Sequence, residues 1–168
     1  MKVMSFNCRG LAGPKKKSAL MRVITLEHPD VILLQETLGD SSIIKERLES
    51  WLPGWSFVTL DVRGRSGGMA VGWNSRVMKV LTAWGMESVL GVELRSVDLG
   101  NCLKVINVYG PYLNRTPFWD SFFQNPFLDE DMVVIGGDLN FSLGLSEVWG
   151  PHAHSDVLAV EFLAIFLH

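Results

Sequence analysis

The chain has 168 residues, 48% hydrophobic and 20% charged, with a formal net charge of −3. That length suits one domain with a buried core, and no apolar run reaches the ~18–20 residues that a membrane-spanning helix needs. The charge balance argues against strong sequence-independent binding to DNA, which takes many cationic contacts to phosphate. A mean hydropathy of +0.21 predicts some apolar surface left uncovered. The charge is uneven: residues 1–84 hold 12 Lys and Arg against 7 Asp and Glu, and residues 85–168 hold 3 against 11. A basic half beside an acidic half suits an anionic substrate brought to a carboxylate-held metal; chance drift of charge along a chain is the plain alternative. Cys8 and Cys102 make neither a disulfide framework nor a zinc pattern. Both are expected as buried thiols with no disulfide partner, in an intracellular setting. The first nine residues turn polar too soon for a signal peptide.

In chain order, residues 2–7 read as a first strand, closed by Asn7-Cys8-Arg9-Gly10. Gly10, Gly13 and Pro14 make a loop, and Pro14 suits the first turn of a helix. Residues 15–27 carry Ala19, Leu20, Val23 and Ile24 at helical spacing, with Lys15, Lys16, Lys17 and Arg22 off that stripe. His28-Pro29 ends the helix. Residues 30–35, D-V-I-L-L-Q, read as a second buried strand with Glu36-Thr37 at its end, completing a strand–helix–strand unit. Ser41 and Ser42 are expected to cap a helix over residues 43–51, stopped by Pro53-Gly54. From Trp55 the pattern turns to strands, at 55–61, 68–73, 77–83, 90–97 and 102–109, the last two joined by a turn at 98–101. A helix is predicted around residues 118–123, among Pro111, Pro117 and Pro126.

Residues 132–141, M-V-V-I-G-G-D-L-N-F, are a short β-branched run that suits a buried strand. Gly136 and Gly137 free the backbone for a sharp turn or a close approach. The tail from Ser155 predicts a helix with Ser155 as cap and Val157, Leu158, Phe162, Ile165 and Phe166 apolar. Either it closes onto a core already built, or it lacks the element that would cover it. The six tryptophans, Trp51, Trp55, Trp73, Trp84, Trp119 and Trp149, are expected in the core.

Polar side chains stand where the strand-like runs end: Asn7, Glu36, Asn107 with Tyr109, and Asp138 with Asn140. Asp138 and Asn140 are two apart, so an extended segment points both to one side, and α/β sheets place their sites at strand ends. Glu36 offers a hard carboxylate oxygen, of which Mg²⁺ takes one or two while keeping several waters. Asn7 can supply a carbonyl oxygen or hold a water. Asp138 can orient an attacking water and Asn140 can bond a phosphate oxygen; Tyr109 can donate to a phosphate. Each alone has a plainer reading: a solvated Glu36, a turn-forming Asn7, a core Tyr109 with its hydroxyl satisfied. The basic loop with Arg63 and Arg65 is a candidate contact to a DNA backbone, or a solvated hairpin tip.

Five motifs occur in one order: S-F-N-C-R-G at 5–10, L-L-Q-E-T at 33–37, S-G-G-M-A-V-G-W at 66–73, N-V-Y-G-P at 107–111 and G-G-D-L-N at 136–140. The set resembles the endonuclease/exonuclease/phosphatase (DNase I-like) family, and within it the endonuclease region of LINE-type (non-LTR) retrotransposon polyproteins, plant ones especially. The resemblance spans the whole chain. It implies an α/β fold, a four-layered α/β sandwich of two mixed sheets with helices outside. It implies hydrolysis of phosphodiester or phosphomonoester bonds with Mg²⁺ or Mn²⁺. Asn7 and Glu36 would lie at the metal, Tyr109 at the scissile phosphate, and Asp138 with Asn140 at the water and the phosphate. In a retroelement such an enzyme nicks target DNA to expose the 3′-hydroxyl that primes reverse transcription, so DNA is the implied partner and the nucleus falls within the expected setting. A phosphatase or phosphodiesterase acting on other phosphate esters shares the fold and stays open.

The family pattern continues with a second Asp and a closing Ser-Asp-His. Here Ser155-Asp156 follows His154 and precedes Val157, and His28, His152, His154 and His168 have loop or terminal settings not expected of a catalytic residue. Residues 1–168 are therefore expected to be the N-terminal portion of one domain, with strands lost from the second sheet, an apolar face of the first sheet left open and catalysis impaired. An inactive retroelement-derived fragment is the alternative.

Overall fold

The structure, a computed structural model, describes residues 1–63, 66–97, 100–129, 132–150 and 156–166. In chain order its main elements are β1 (Val3–Asn7), α1 (Pro14–Glu27), β2 (Val31–Gln35), α2 (Ser41–Trp51), β3 (Trp55–Arg63), β4 (Ser66–Asn74), β5 (Met78–Met86), β6 (Val89–Ser96), β7 (Cys102–Tyr109), α3 (Arg115–Phe123), β8 (Val133–Asp138) and α4 (Leu158–Phe166). One sheet has the order β1-β2-β4-β3 and the other β5-β6-β7-β8. Each is mixed: β1 with β2 and β7 with β8 run parallel, and the remaining neighbours antiparallel.

The layering follows from β2, V-I-L-L-Q, in which every residue is buried. A strand covered on both faces needs no alternation of polarity. Ile32 and Leu34 enter a core with Leu20 and Ile24 of α1 and Ile44 and Leu48 of α2. Val31 and Leu33 point the other way, into a core between the sheets with Val71, Val92, Leu94 and Val105. Beyond it, Ile106 and Val108 of β7 meet Trp119 and Phe122 of α3 and Leu158 and Phe162 of α4. Three apolar cores thus separate four layers, the expected α/β sandwich. The tail helix closes onto the outer face of the second sheet, where Trp119 meets Phe122 and Phe162 edge-on at centroid distances of 5.4 and 4.8 Å.

Several local expectations change. The cap of α2 is Asp40, whose Oδ1 accepts the Ser42 and Ile43 amides at 2.9 and 3.3 Å. One carboxylate oxygen serves both amides and also suits the helix N-terminus electrostatically, which displaces the serines from the cap role. The Ser42 hydroxyl bond, and then the amides of Ile43 and Ser42, hold the Asp40 carboxyl below its usual range. Helix α3 begins at Arg115, because Pro117 sits in its first turn, where a missing N–H leaves nothing unpaired. The inner face of the first sheet is not open: Val31, Leu33 and Val71 are completely buried against the second sheet. Uncovered apolar surface lies instead on β5, at half-exposed Val80 and Leu81. Trp149 is not a core residue; it is 94% exposed, on a stretch that forms neither helix nor strand. Ser155, Arg65, His152, His154, His168 and the Asp98–Leu99 part of the predicted turn lie outside the described residues, as does the side chain of Arg63, which closes β3.

Two polar side chains sit fully buried between the sheets, Gln35 on β2 and Asn107 on β7. Gln35 Nε2 donates to Asn107 Oδ1 at 2.7 Å and to Ser5 Oγ at 3.2 Å. Asn107 Nδ2 donates to the carbonyls of Leu34 at 3.0 Å and Ala70 at 3.1 Å. A group facing two carbonyls must be the NH₂, which sets the amide's orientation. Asn107→Ala removes the side-chain donor from both carbonyls, which keep their place in the β2–β4 ladder, leaves a void, and takes the buried partner from the Gln35 amide. We expect it to lower the unfolding free energy by about 3 kcal/mol in urea titrations. The double variant Gln35→Leu with Asn107→Leu should lose less than the sum of its two singles.

A second tie joins α3 to α4. Arg115 Nη2 meets Asp156 Oδ2 at 2.7 Å. Burial pushes the Asp156 carboxyl up, but the Arg115 bond, the Leu158 amide and the Arg115 charge more than offset it and hold the group below its usual range. A lowered folded value contributes stability that is present above the ordinary Asp value of ~3.9 and is lost as pH falls through the folded value. The stability gap between the parent chain and Asp156→Asn should therefore be flat near neutral pH and shrink below about pH 4 in unfolding titrations.

Candidate active site

The two-residue period of a strand decides which side chains face the inter-sheet core. On β1 these are Val3, Ser5 and Asn7; on β2, Val31, Leu33 and Gln35; on β7, Val105, Asn107 and Tyr109; on β8, Val134, Gly136 and Asp138. Each series runs from apolar to polar toward one rim. The registers agree: Asn7 stands opposite Gln35 and Tyr109 opposite Asp138. Both are parallel pairs, so four strand C-termini end together, the place where sites form in sheets of this kind.

Asn7 lies at the centre of the rim. Its Nδ2 donates to Glu36 Oε1 at 2.8 Å and to Asp138 Oδ2 at 2.6 Å. Carboxylates only accept, so the amide must face them with its nitrogen; its oxygen accepts the Arg9 amide at 3.0 Å. The Tyr109 hydroxyl donates to Glu36 Oε1 at 3.1 Å. The Asn140 amide N–H donates to Asp138 Oδ1 at 3.2 Å, and Asn140 Nδ2 donates to the Gly110 carbonyl at 2.5 Å. Asn7, Glu36, Tyr109, Asp138 and Asn140 therefore form one hydrogen-bonded cluster.

Backbone strain aims two of these groups. Strict alternation after Gln35 would turn Glu36 away from the inner face. Instead Glu36 has φ 52° and Asn140 φ 53°, in the left-handed region that non-glycine residues seldom occupy. Such residues persist where neighbours over-determine them and concentrate at functional sites. Here the Glu36 carbonyl accepts the Gly10 amide at 2.7 Å, and the next amide, of Thr37, donates to the Gly68 carbonyl at 3.1 Å. Gly137, at φ 145°, lies so close to β7 that a Cβ would overlap the Val108 carbonyl; only glycine lets Asp138 emerge at this rim.

Two carboxylates bonded to one amide nitrogen repel each other, and a cation between them relieves that repulsion. The donors are hard oxygens, which fits Mg²⁺ or Mn²⁺ and not zinc, with its preference for nitrogen and sulfur. Among the described residues no three His, Cys, Asp or Glu side chains gather into a metal-holding group. Mg²⁺ needs only one or two protein carboxylates, because it keeps several waters. Burial, and then the hydrogen bond to Glu36, push the Tyr109 phenol above its usual range, so it remains an O–H donor at neutral pH. Burial pushes the Cys8 thiol up to about 12, which makes it a packing group and not a nucleophile. Cys102 is half-buried, and both cysteines are free. His28 is taken up by the left-handed end of α1.

Two clefts open beside the cluster. One, of about 470 Å³, is lined by Asn7, Asp138, Leu139, Phe141 and Glu147 among others. The other, of about 260 Å³, has Tyr109 in its wall together with Gly67, Gly68, Met86 and Tyr112. Gln35 and Tyr112 escaped the reading by sequence. Gln35 could have been found as the one polar residue of a buried apolar strand; nothing local marks Tyr112.

The profile of the Endonuclease/Exonuclease/phosphatase family matches residues 4–159. Recombination repair protein 1 of Drosophila melanogaster is 30% identical over 154 residues, which are 84% of this chain and 22% of that protein. The 3′ phosphatase NExo from Neisseria, solved with a product DNA hairpin, superposes with a TM-score of 0.70 at 16% identity, over 99% of this chain and 70% of that one. Humanized D. rerio TDP2 superposes with a TM-score of 0.65 at 18% identity, over 83% of this chain and 62% of that one. At these identities the solved structures speak for the fold alone, and the chain spans only part of each relative. The family profile, by contrast, runs through nearly every element of the sandwich, and the chain belongs to the endonuclease/exonuclease/phosphatase family.

Proposed function

We propose that the chain is a phosphoester hydrolase that cuts DNA phosphodiesters with the help of Mg²⁺ or Mn²⁺, of the kind with which LINE-type retrotransposons, plant ones among them, nick their targets. The carrying observation is the pair of carboxylates, Glu36 and Asp138, bound to one Asn7 amide with the Tyr109 phenol beside them. The five ordered motifs support the retrotransposon affiliation. The Neisseria relative was solved with DNA, which supports DNA as the substrate. No helix among the described residues is long and apolar enough to cross a membrane; the proposed setting is intracellular, the nucleus included.

In this reading Glu36 and Asp138 would hold the cation, and Asn7, expected among its ligands, turns its amide nitrogen to both carboxylates and would fix the distance between them. The cation, when bound, neutralises charge developing on the phosphate oxygens. With substrate present Tyr109 would turn its one O–H from Glu36 to a non-bridging phosphate oxygen, and Asn140, which gives one N–H to the Gly110 carbonyl, would give its second to another. Asp138, braced through Oδ1 by the Asn140 backbone, orients the water that attacks phosphorus. The water oxygen bonds phosphorus as the bond to the 3′ oxygen breaks; the water gives up one proton toward Asp138, the leaving oxygen takes one from solvent, and a 5′-phosphate and a 3′-hydroxyl are left. Arg63 and Arg65, at the β3–β4 connection, are the proposed contacts to flanking phosphates. A second reading is removal of a terminal phosphate, favoured by the 3′ phosphatase among the relatives. A hairpin ending in a 3′-phosphate, compared with a closed plasmid, distinguishes the two.

Supercoiled plasmid with Mg²⁺ is expected to be nicked by the parent chain, and at least about 100-fold more slowly by Glu36→Ala and Asp138→Ala. Equal nicking by all three would remove these residues from the site. No nicking by the parent chain would leave an inactive retroelement-derived fragment as the reading. Tyr109→Phe is expected to lower kcat by about 100-fold. Because the folded Tyr109 value is raised, its donor is lost only at pH well above the ordinary tyrosine value of ~10. The parent and Tyr109→Phe rate profiles should therefore run parallel up to about pH 10, and convergence at pH 8–9 would contradict the donor role.

A further inference from the structure

The cleft of about 260 Å³ shares Tyr109 with the cluster but contributes nothing to holding a cation. It lies between Leu60 and Asp61 of β3 with Gly67 and Gly68 of β4 in one sheet and the β5–β6 turn of the other, beside the segment that follows β7. Its volume falls below the ~300–1,000 Å³ typical of pockets for drug-sized ligands, so it takes a small group and not a cofactor. Gly67 and Gly68 leave bare backbone on one wall. Tyr112, 65% exposed, and Met86, 46% exposed, present apolar surface at the mouth. Tyr112 lines the cleft together with Tyr109, which sets its ring beside the site. Asp61 and Glu87 carry negative charge on the walls. An uncharged ring with N–H groups at its edge can donate to carboxylates of this kind.

Resting on the reading of the site as a DNA phosphoester hydrolase, we infer that this cleft is a nucleobase subsite. It receives the base next to the scissile phosphate and stacks it on the Tyr112 ring. Stacking on an aromatic side chain needs an unpaired base and tolerates any sequence. The subsite therefore favours strands that are single or locally opened where they are cut.

The test is fluorescence anisotropy with two labelled strands of equal length and charge, one a single-stranded oligothymidylate and the other an abasic deoxyribose-phosphate chain. Ca²⁺ in place of Mg²⁺ limits cleavage. Tyr112→Ala is expected to weaken binding of the oligothymidylate about tenfold and to leave the abasic strand unchanged. Tyr112→Phe, which keeps the ring, should bind both as the parent does, and so should Leu113→Ala, whose side chain is exposed outside the cleft. Equal loss on both strands, or no loss on either, overturns the subsite while leaving the hydrolase reading intact. A parent chain that binds neither strand overturns the hydrolase reading and the subsite with it.

Discussion

The buried hydrogen bond from Gln35 to Asn107, 2.7 Å long, joins the two sheets one residue before Glu36 and two before Tyr109. Apolar contacts between sheets are non-directional, and a sandwich held by Val31, Leu33, Val71, Val92 and Val105 alone could shift with little penalty. A buried amide pair cannot. Any slide leaves the Gln35 and Asn107 amide groups without each other and takes Asn107 Nδ2 off the Leu34 and Ala70 carbonyls, and each buried amide left unpaired costs about 1–3 kcal/mol. The bridge thereby sets the facing of β2 and β7, and the site at the rim inherits that alignment.

Beyond the bridge the arrangement works against local comfort. Glu36 and Asn140 adopt left-handed backbone conformations, and two carboxylates share one amide nitrogen. Strain and like-charge proximity of this sort lower stability unless the surrounding structure or a bound cation offsets them. The neighbourhood is built accordingly: Gly137 backs directly onto β7, the Thr37 amide is tied to Gly68, and Tyr109 caps the Glu36 oxygen. Rigid strand ends, and not free loops, carry most of the cluster. That suits chemistry in which reacting groups must be held in a fixed geometry.

Much of this was legible in the residues. The runs V-I-L-L-Q and the one ending at Tyr109 announce buried strands; the run ending in G-G-D announces a strand too, but β8 is the edge of its sheet and only half-buried along its length, and the terminal polar residues of all three are the ones that meet. What stayed hidden depends on contacts distant in sequence. Gln35 resembles a strand terminus until Asn107, 72 residues away, is seen against it. The extended segment expected to point Asp138 and Asn140 to one side stops at Asp138, and Asn140 reaches the cluster through a left-handed turn instead. Ser41 and Ser42 looked like caps because serine often is one, yet Asp40 takes the role with two amides at once. Trp149 has the composition of a core residue and lies on chain with no regular structure to hold it. The tail helix could not be placed from its own pattern; the Trp119–Phe122 surface that receives it comes from a helix some forty residues earlier.

The central claim is that Glu36 and Asp138 converge on one hard divalent cation at the rim of the two sheets. Paramagnetic broadening by Mn²⁺ in amide NMR spectra reads this directly, without any substrate. The account predicts that substoichiometric Mn²⁺ first erases the resonances of Asn7, Thr37 and Leu139, and that Glu36→Gln combined with Asp138→Asn abolishes the selectivity. Preferential broadening around Asp61 and Glu87 instead, or an unchanged pattern in the double variant, would contradict it.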